Sequence, residues 1–231
     1  MHISISKLFL FAILLVSFAA CRKSNDGVKP QPFRGCRIQY LTNGNYVDTL
    51  FYDDSLRIVR FKQYWIEHRY IYSGHQMIAK AFRDGRQFGT TVVIYNSNGT
   101  VDSLFYTDGL KVITRRFEYD GIYPIRMLQT QNESYPYKDT VLYKWKDGNL
   151  IQEIARYGSD FPVYDTNRLW QQADLFNIMS MYQIGVPSPI RSKNLMVSYN
   201  SLHPVYLFDS TGKIGASVYD TDTFRYSWFC Q

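Results

Sequence analysis

Histidine and cysteine side chains are the residues of this 231-residue chain that most readily serve catalysis or metal binding. Beyond the N-terminal segment the histidines are His68, His75 and His203, and none has the His-x-His or His-Glu-x-x-His spacing of a metal site. The sequence has no Cys-x-x-Cys pair, Gly-x-Ser-x-Gly elbow, Walker loop or Gly-x-Gly-x-x-Gly loop. A triad built from distant strands would leave no local pattern, but His68 and His75 are most simply interpreted as surface residues that flank a hairpin. We therefore expect no catalytic residue, no metal site, no cofactor and no enzymatic activity.

The cysteines suggest two different roles. Cys36 and Cys230 stand near the two ends of the region that we expect to fold, and in an oxidising compartment they could form a disulfide between the first and last strands. The alternative is two separate small core residues, because a sequence alone does not show that two thiols are close in space.

Residues 1–20 have the features of a secretory signal, with Lys7 near the start, an apolar run and small residues at the end. Cys21 follows Phe18-Ala19-Ala20, a segment that resembles the lipobox of bacterial lipoproteins, in which this thiol is acylated. Phe18 replaces the usual leucine, and a conventional signal cleaved after Ala20 is the alternative. We expect a protein of the cell envelope that is attached to a membrane, on its periplasmic or outer face, through lipid at Cys21.

Charge and composition divide the rest of the chain into a tether and one domain. Residues 21–35 are polar and contain two prolines and two glycines, a composition typical of a flexible tether. Residues 36–231 have the length of a single domain. The net charge is +6, but the basic residues are spread along the chain. Export and the lack of a basic block together argue against nucleic acid as a partner.

Short runs rich in valine, isoleucine, threonine and aromatic residues alternate with turn signals along residues 36–164 and again after residue 194. Asparagine, aspartate and glycine favour the positive φ angles that tight hairpins need. The turns predicted in this way are Asn43-Gly44, Asp53-Asp54-Ser55, Ser73-Gly74, Asp84-Gly85, Asn98-Gly99, Asp108-Gly109, Asp120-Gly121, Asp147-Gly148 and Thr211-Gly212. Many strands end in an aromatic residue just before the turn. The pattern predicts an all-β fold of roughly ten or more antiparallel strands.

Residues 165–190 interrupt this pattern. Turn signals are missing there, and apolar residues recur at nearly helical intervals until Gly185, which favours one short helix or a compact loop. We expect this insertion to cover part of the sheet, with candidate ligand-facing or lid residues at Leu169, Trp170, Phe176, Met179 and Tyr182.

Several segments together resemble a family of uncharacterised Bacteroidetes lipoproteins, a domain of unknown function with a porin-like fold. They are the repeated Tyr-Asp/Asn turns, YKWKDGNLIQEI at 143–154, SKNL at 192–195 and YLFDSTGKI at 206–214. The resemblance implies a large antiparallel β-meander curled into a half or nearly closed barrel. For some relatives it also implies lipid binding, and it implies no catalytic residues.

Aromatic residues make up 17% of the chain. Most of them suit the core of a sheet, but a curled sheet also offers a concave interior to an apolar ligand. The first expectation is therefore a non-enzymatic envelope lipoprotein that binds a lipid or another apolar small molecule inside the sheet. The alternative is a surface interaction protein that binds a glycan or a protein partner through exposed aromatic rings.

Overall fold

The computed structural model describes residues 36–132, 136–172, 180–181, 185–186, 188, 190, 192–199 and 202–230. All described residues belong to one compact unit, residues 32–231. The predicted signal, Cys21 and most of the predicted tether lie outside the described residues.

The described residues form seventeen strands. They are β1 (Arg37–Asn43), β2 (Tyr46–Tyr52), β3 (Ile58–Lys62), β4 (Ile66–Ser73), β5 (Gln76–Arg83), β6 (Arg86–Tyr95), β7 (Val101–Thr107), β8 (Val112–Asp120), β9 (Tyr123–Asn132), β10 (Tyr137–Lys146), β11 (Asn149–Ala155), β12 (Gly158–Asp160), β13 (Val163–Leu169), β14 (Asn194–Ser198), β15 (Val205–Phe208), β16 (Ile214–Tyr219) and β17 (Asp222–Phe229).

Fifteen of these strands form one antiparallel sheet in the order β12 to β1 followed by β17, β16 and β15. Neighbours in the chain are neighbours in the sheet from β1 to β12, as in a meander, and the chain then returns so that β17 pairs with β1. The remaining two strands, β13 and β14, form a small separate sheet. The predicted all-β fold, a large curled antiparallel meander with one insertion, is confirmed. The sheet is not closed, because β12 and β15 lie at its two ends.

The hairpin turns lie in two rows at the two ends of the strands, and we call these rows the upper edge and the lower edge of the large sheet. The upper edge carries the turns after β1, β3, β5, β7 and β11, and the lower edge carries those after β2, β4, β6, β8 and β10. The glycines of the predicted Asx-Gly and Ser-Gly turns have positive φ, for example 57° at Gly44 and 83° at Gly148. Positive φ is a conformation that glycine adopts at little cost, so these turns form where the sequence predicts them.

The buried side chains lie mainly on one face of the sheet, which we call the inner face. It carries Leu41, Leu50, Phe61 and Tyr70, which adjoin in the register of β1 to β4. They belong to the first core cluster, which also contains Met181, Val186 and Leu195 from outside the large sheet. A second core cluster lies further along the same face, on β8 to β11. Its members are Phe117, Met127, Val141, Tyr143 and Leu150.

The beginning of the insertion differs from the predicted helix or loop. Residues up to Leu169 belong to β13, which pairs with β14. The side-chain amide of Asn194 donates hydrogen bonds to the carbonyl oxygens of Thr166 (3.1 Å) and Arg168 (3.1 Å). This partner lies far away in the sequence, so local periodicity could not reveal it. Ser180 and Met181 are helical, and residues 173–179 lie outside the described residues.

Candidate functional site

Aromatic residues at the lower edge have structural roles. Each of them lies near the end of a strand. Its hydroxyl or indole N–H donates a hydrogen bond to a carbonyl oxygen at the start of the preceding strand. The bonds are Tyr52 to Ile38 (2.7 Å), Tyr72 to Ile58 (2.9 Å), Tyr119 to Val101 (2.7 Å), Trp145 to Pro124 (2.6 Å) and Trp228 to Ile214 (2.9 Å). Burial raises the pKa of Tyr52 and of Tyr119 to about 12, so these hydroxyls remain protonated donors. The repeated aromatic residues therefore stabilise the lower edge.

Two sequence-predicted lid residues can be placed. Leu169 ends β13 and is 65% exposed. Trp170 is half-buried, and its backbone N–H donates to the carbonyl oxygen of Lys193 (3.1 Å). Phe176, Met179 and Tyr182 lie outside the described residues. A ligand-facing role for the five residues stays a prediction.

Described residues of the insertion and of β14 cover the first core cluster. Met181, Val186 and Leu195 are at most 2% exposed and pack among the inner-face side chains of β1 to β7. Tyr70 donates a hydrogen bond to the carbonyl oxygen of Gly185 (2.7 Å). In this part of the inner face, the protein's own side chains occupy the space that an apolar ligand would need.

Ser192 and Asn194 of the SKNL segment fasten it to the β10–β11 hairpin. The Asn149 side-chain amide donates to Asn194 Oδ1 (2.9 Å), and the Asn194 backbone N–H donates to Asn149 Oδ1 (2.9 Å). The Leu150 N–H donates to the Ser192 hydroxyl (3.2 Å). The Ser192 and Asn194 side chains are buried, and these hydrogen bonds satisfy their polar atoms.

His68 is the histidine that the structure buries. It is 7% exposed, lies beside Phe61 with ring centroids 6.2 Å apart, and packs under Gly185. Burial lowers its pKa to about 4. Sequence analysis interpreted His68 as a surface residue beside a hairpin, and the structure instead places it in the core. A neutral, enclosed imidazole has a structural role here.

Cys36 and Cys230 are joined by a disulfide across a sequence separation of 194 residues. Arg37 and Phe229, the residues next to them, are partners in the β1–β17 register. The bond lies at the lower edge, where the chain enters the large sheet and leaves it.

The upper edge carries a different kind of aromatic group, which we call the aromatic cluster. It consists of Tyr46 at the start of β2 and of Tyr64 and Trp65 in the turn after β3. Their ring centroids lie 4.6 Å (Tyr46–Tyr64), 4.3 Å (Tyr64–Trp65) and 6.1 Å (Tyr46–Trp65) apart. The three side chains are 46%, 62% and 59% exposed. The rings therefore contact one another and still present open faces to solvent.

Sequence reasoning missed the aromatic cluster because the turn at residues 63–66 contains no glycine, asparagine or aspartate. The Gln63 N–H nevertheless closes this turn by donating to the Ile66 carbonyl oxygen (2.7 Å). The signal that could have revealed the cluster is the Tyr-Trp pair itself, because two large aromatic residues between two short strands must lie in the connecting turn.

Other features of the described residues offer less. An open depression of about 560 Å³ along β9 and β10 is lined by Leu128, Gln129, Thr130, Lys138, Asp139, Thr140 and Arg156. Leu128 is its single apolar residue. Within the described ranges, no group of three or more histidine, cysteine or acidic residues could hold a metal ion. No helix in the described part of the chain is both long enough and apolar enough to span a membrane.

Comparison with known proteins identifies the fold. No family model and no curated protein matches the chain. Among solved structures, the crystal structure of a porin-like protein from Bacteroides vulgatus ATCC 8482 is similar, with a TM-score of 0.57. The two share 13% sequence identity, and the match covers 82% of this chain and 97% of that one. The chain therefore has a porin-like fold.

Proposed function

We propose that the protein is a non-enzymatic, lipid-anchored protein of the cell envelope that binds a glycan through the aromatic cluster. The exposure of three mutually contacting rings is the observation that carries this proposal. Aromatic rings stack on the apolar faces of sugars, and the tyrosine hydroxyls and the indole N–H can bond to sugar hydroxyls.

The size of the cluster favours a sugar over a protein partner. An aromatic side chain has about 150–250 Å² of surface, so three half-exposed rings offer about 300 Å². A standard protein interface buries about 800 Å² on each partner. Exposed Asn45 and Lys62 are close to the rings in sequence and add polar groups suited to hydroxyls.

The aromatic cluster lies at the edge of the sheet opposite to Cys36, the first described residue. Cys36 is on the lower edge, whereas Tyr46 follows the turn at the upper end of β1. These edges are about 20 Å apart along β1, at about 3.4 Å per residue.

Binding to a glycan array and then calorimetry with any retained glycan test the proposal. Trp65→Ser should abolish the binding, whereas Tyr157→Ser should not, because Tyr157 is an 89% exposed aromatic residue on the same edge but outside the cluster. An array without retained glycans, or binding that survives Trp65→Ser, would refute the proposal.

The anchor is tested separately. The wild-type protein should be found in the membrane fraction and should incorporate labelled fatty acid, and Cys21→Ser should lose both properties. A Cys21→Ser protein that still carries the label would contradict acylation at this residue.

A further inference from the structure

Arg115 is a half-buried cation on the inner face, between the first and second core clusters and away from the aromatic cluster. It lies on β8, where its register partners are Leu104 on β7 and Gln129 on β9. Leu104 is 2% exposed, and Phe117, two residues further along β8 on the same face, belongs to the second core cluster. The guanidinium therefore sits at the border between apolar core and polar surface.

The orientation of the guanidinium is fixed from one side. Arg115 Nε donates a hydrogen bond to Gln129 Oε1 (2.7 Å), and Gln129 Nε2 donates to the Tyr137 hydroxyl oxygen. Among the described residues, Gln129 is the hydrogen-bond acceptor of this guanidinium, so the N–H groups of its two Nη nitrogens remain. The hydroxyl of Tyr137, which accepts from Gln129, keeps its own hydrogen for donation. Arg115 and Tyr137 thus form a connected set of donors.

The charge of Arg115 is not neutralised by contact. Among the residues that the structure describes, no carboxylate is in ion-pair contact with Arg115. Burial lowers the pKa of its guanidinium, while Tyr143, Tyr137 and Glu153 act in the opposite direction. Glu153 is the carboxylate whose charge acts on Arg115, but its hydrogen bond is with Tyr199. A partly desolvated cation with unused donors gains most from an anion that accepts two parallel hydrogen bonds.

We propose that Arg115 and Tyr137 form a binding site for the carboxylate group of a ligand on the inner face of the sheet. A carboxylate suits the geometry because its two oxygens match the two parallel N–H groups of a guanidinium. Its single charge also suits the surroundings, since Glu153, whose charge acts on Arg115, and Asp139, the register partner of Gln129, would oppose a doubly charged phosphate more strongly. An acidic sugar and a fatty acid are the two sources of this chemistry.

Isothermal titration of the purified full-length protein with four probes tests the site. Glucuronate and its neutral counterpart glucose examine the sugar source, and octanoate and octanol examine the fatty-acid source. We expect one carboxylate to bind while its neutral counterpart does not. Arg115→Gln should weaken that binding at least about tenfold, because charge-assisted hydrogen bonds are lost.

Two further variants separate binding from folding. Arg116→Gln removes the neighbouring arginine, which points to the opposite face and is exposed, and should leave binding unchanged. Tyr137→Phe removes one hydroxyl from an exposed residue and should weaken binding several-fold while the thermal unfolding midpoint stays the same. The proposal is overturned if neither carboxylate binds, if the neutral counterpart binds equally well, if inorganic phosphate binds more tightly, or if both Arg115→Gln and Tyr137→Phe bind normally.

Discussion

His68 should make the stability of this protein depend on pH in a defined window. The imidazole is 7% exposed, and burial lowers its pKa from 6.5 to about 4. Below about pH 6.5 the unfolded chain binds a proton at this residue, whereas the folded chain does so only near pH 4. The free energy of unfolding should therefore be highest above pH 6.5 and fall as the pH is lowered through this window.

The size of the effect follows from the two pKa values. Each pKa unit corresponds to about 1.4 kcal/mol, so the complete loss is about 3 kcal/mol. That is a large part of the 5–15 kcal/mol by which domains are typically stable. Other carboxylates, such as Asp53 and Asp209, have lowered pKa values in the folded protein. Their protonation on acidification also lowers the free energy of unfolding. The contribution of His68 must therefore be measured as a difference between proteins.

Urea unfolding at pH 7 and pH 4.5, followed by tryptophan fluorescence, provides this measurement. The wild type should lose about 2 kcal/mol more than His68→Gln between the two pH values, because the loss is not yet complete at pH 4.5. The matched control is His75→Gln, because His75 is exposed in the turn after β4 and should leave the wild-type dependence unchanged. Equal losses in the wild type and His68→Gln would refute a neutral buried imidazole.

Three further predictions concern the scaffold. Asn194→Ala should lower the free energy of unfolding in urea by about 3 kcal/mol, because it leaves several partly buried groups unpaired. Asn132→Ala, at an exposed position, should lower it little. A loss in Asn194→Ala below that of this control would contradict the fastening role. By the same assay, Tyr119→Phe should lower the free energy of unfolding by about 1 kcal/mol, because the Tyr119 hydroxyl bonds to a carbonyl oxygen. Tyr157→Phe should have no measurable effect, since Tyr157 is exposed. Equal losses would argue against the lower-edge hydrogen bonds. Cys36→Ser should lower the free energy of unfolding by about 2–5 kcal/mol. The wild type in reducing agent should fall to the same value, and different values would count against the disulfide.

The large sheet could be predicted from the sequence because its determinants are local. Gly44, Gly74, Gly85 and Gly99 each permit a turn where they stand, and the alternating apolar residues between them define the strands. The rest of β13, residues 165–169, could not be predicted as a strand, because Asn194 and β14 hold it in that conformation. Local periodicity favours a helix only until such a distant partner is known.

The candidate sites also differ in whether local or distant residues determine them. The burial of His68 depends on Gly185, which is more than a hundred residues away, so its position beside a hairpin suggested exposure instead. The connected donors of Arg115 and Tyr137 depend on three strands in register, and nothing in the residues around Arg115 indicates this. The aromatic cluster could be predicted from the sequence, because Tyr64 and Trp65 stand between two short strands and must therefore occupy the connecting turn.

The two edges of the sheet use their aromatic residues differently. At the lower edge, rings such as Tyr52 and Trp145 turn onto the sheet and donate to its carbonyl groups, which stabilises the fold. At the upper edge, Tyr64 and Trp65 leave about half of their surface in water, which forgoes hydrophobic stabilisation of roughly 25 cal/mol per Å². A single exposed ring needs no explanation, but three in mutual contact form a surface that a stacked ligand would cover.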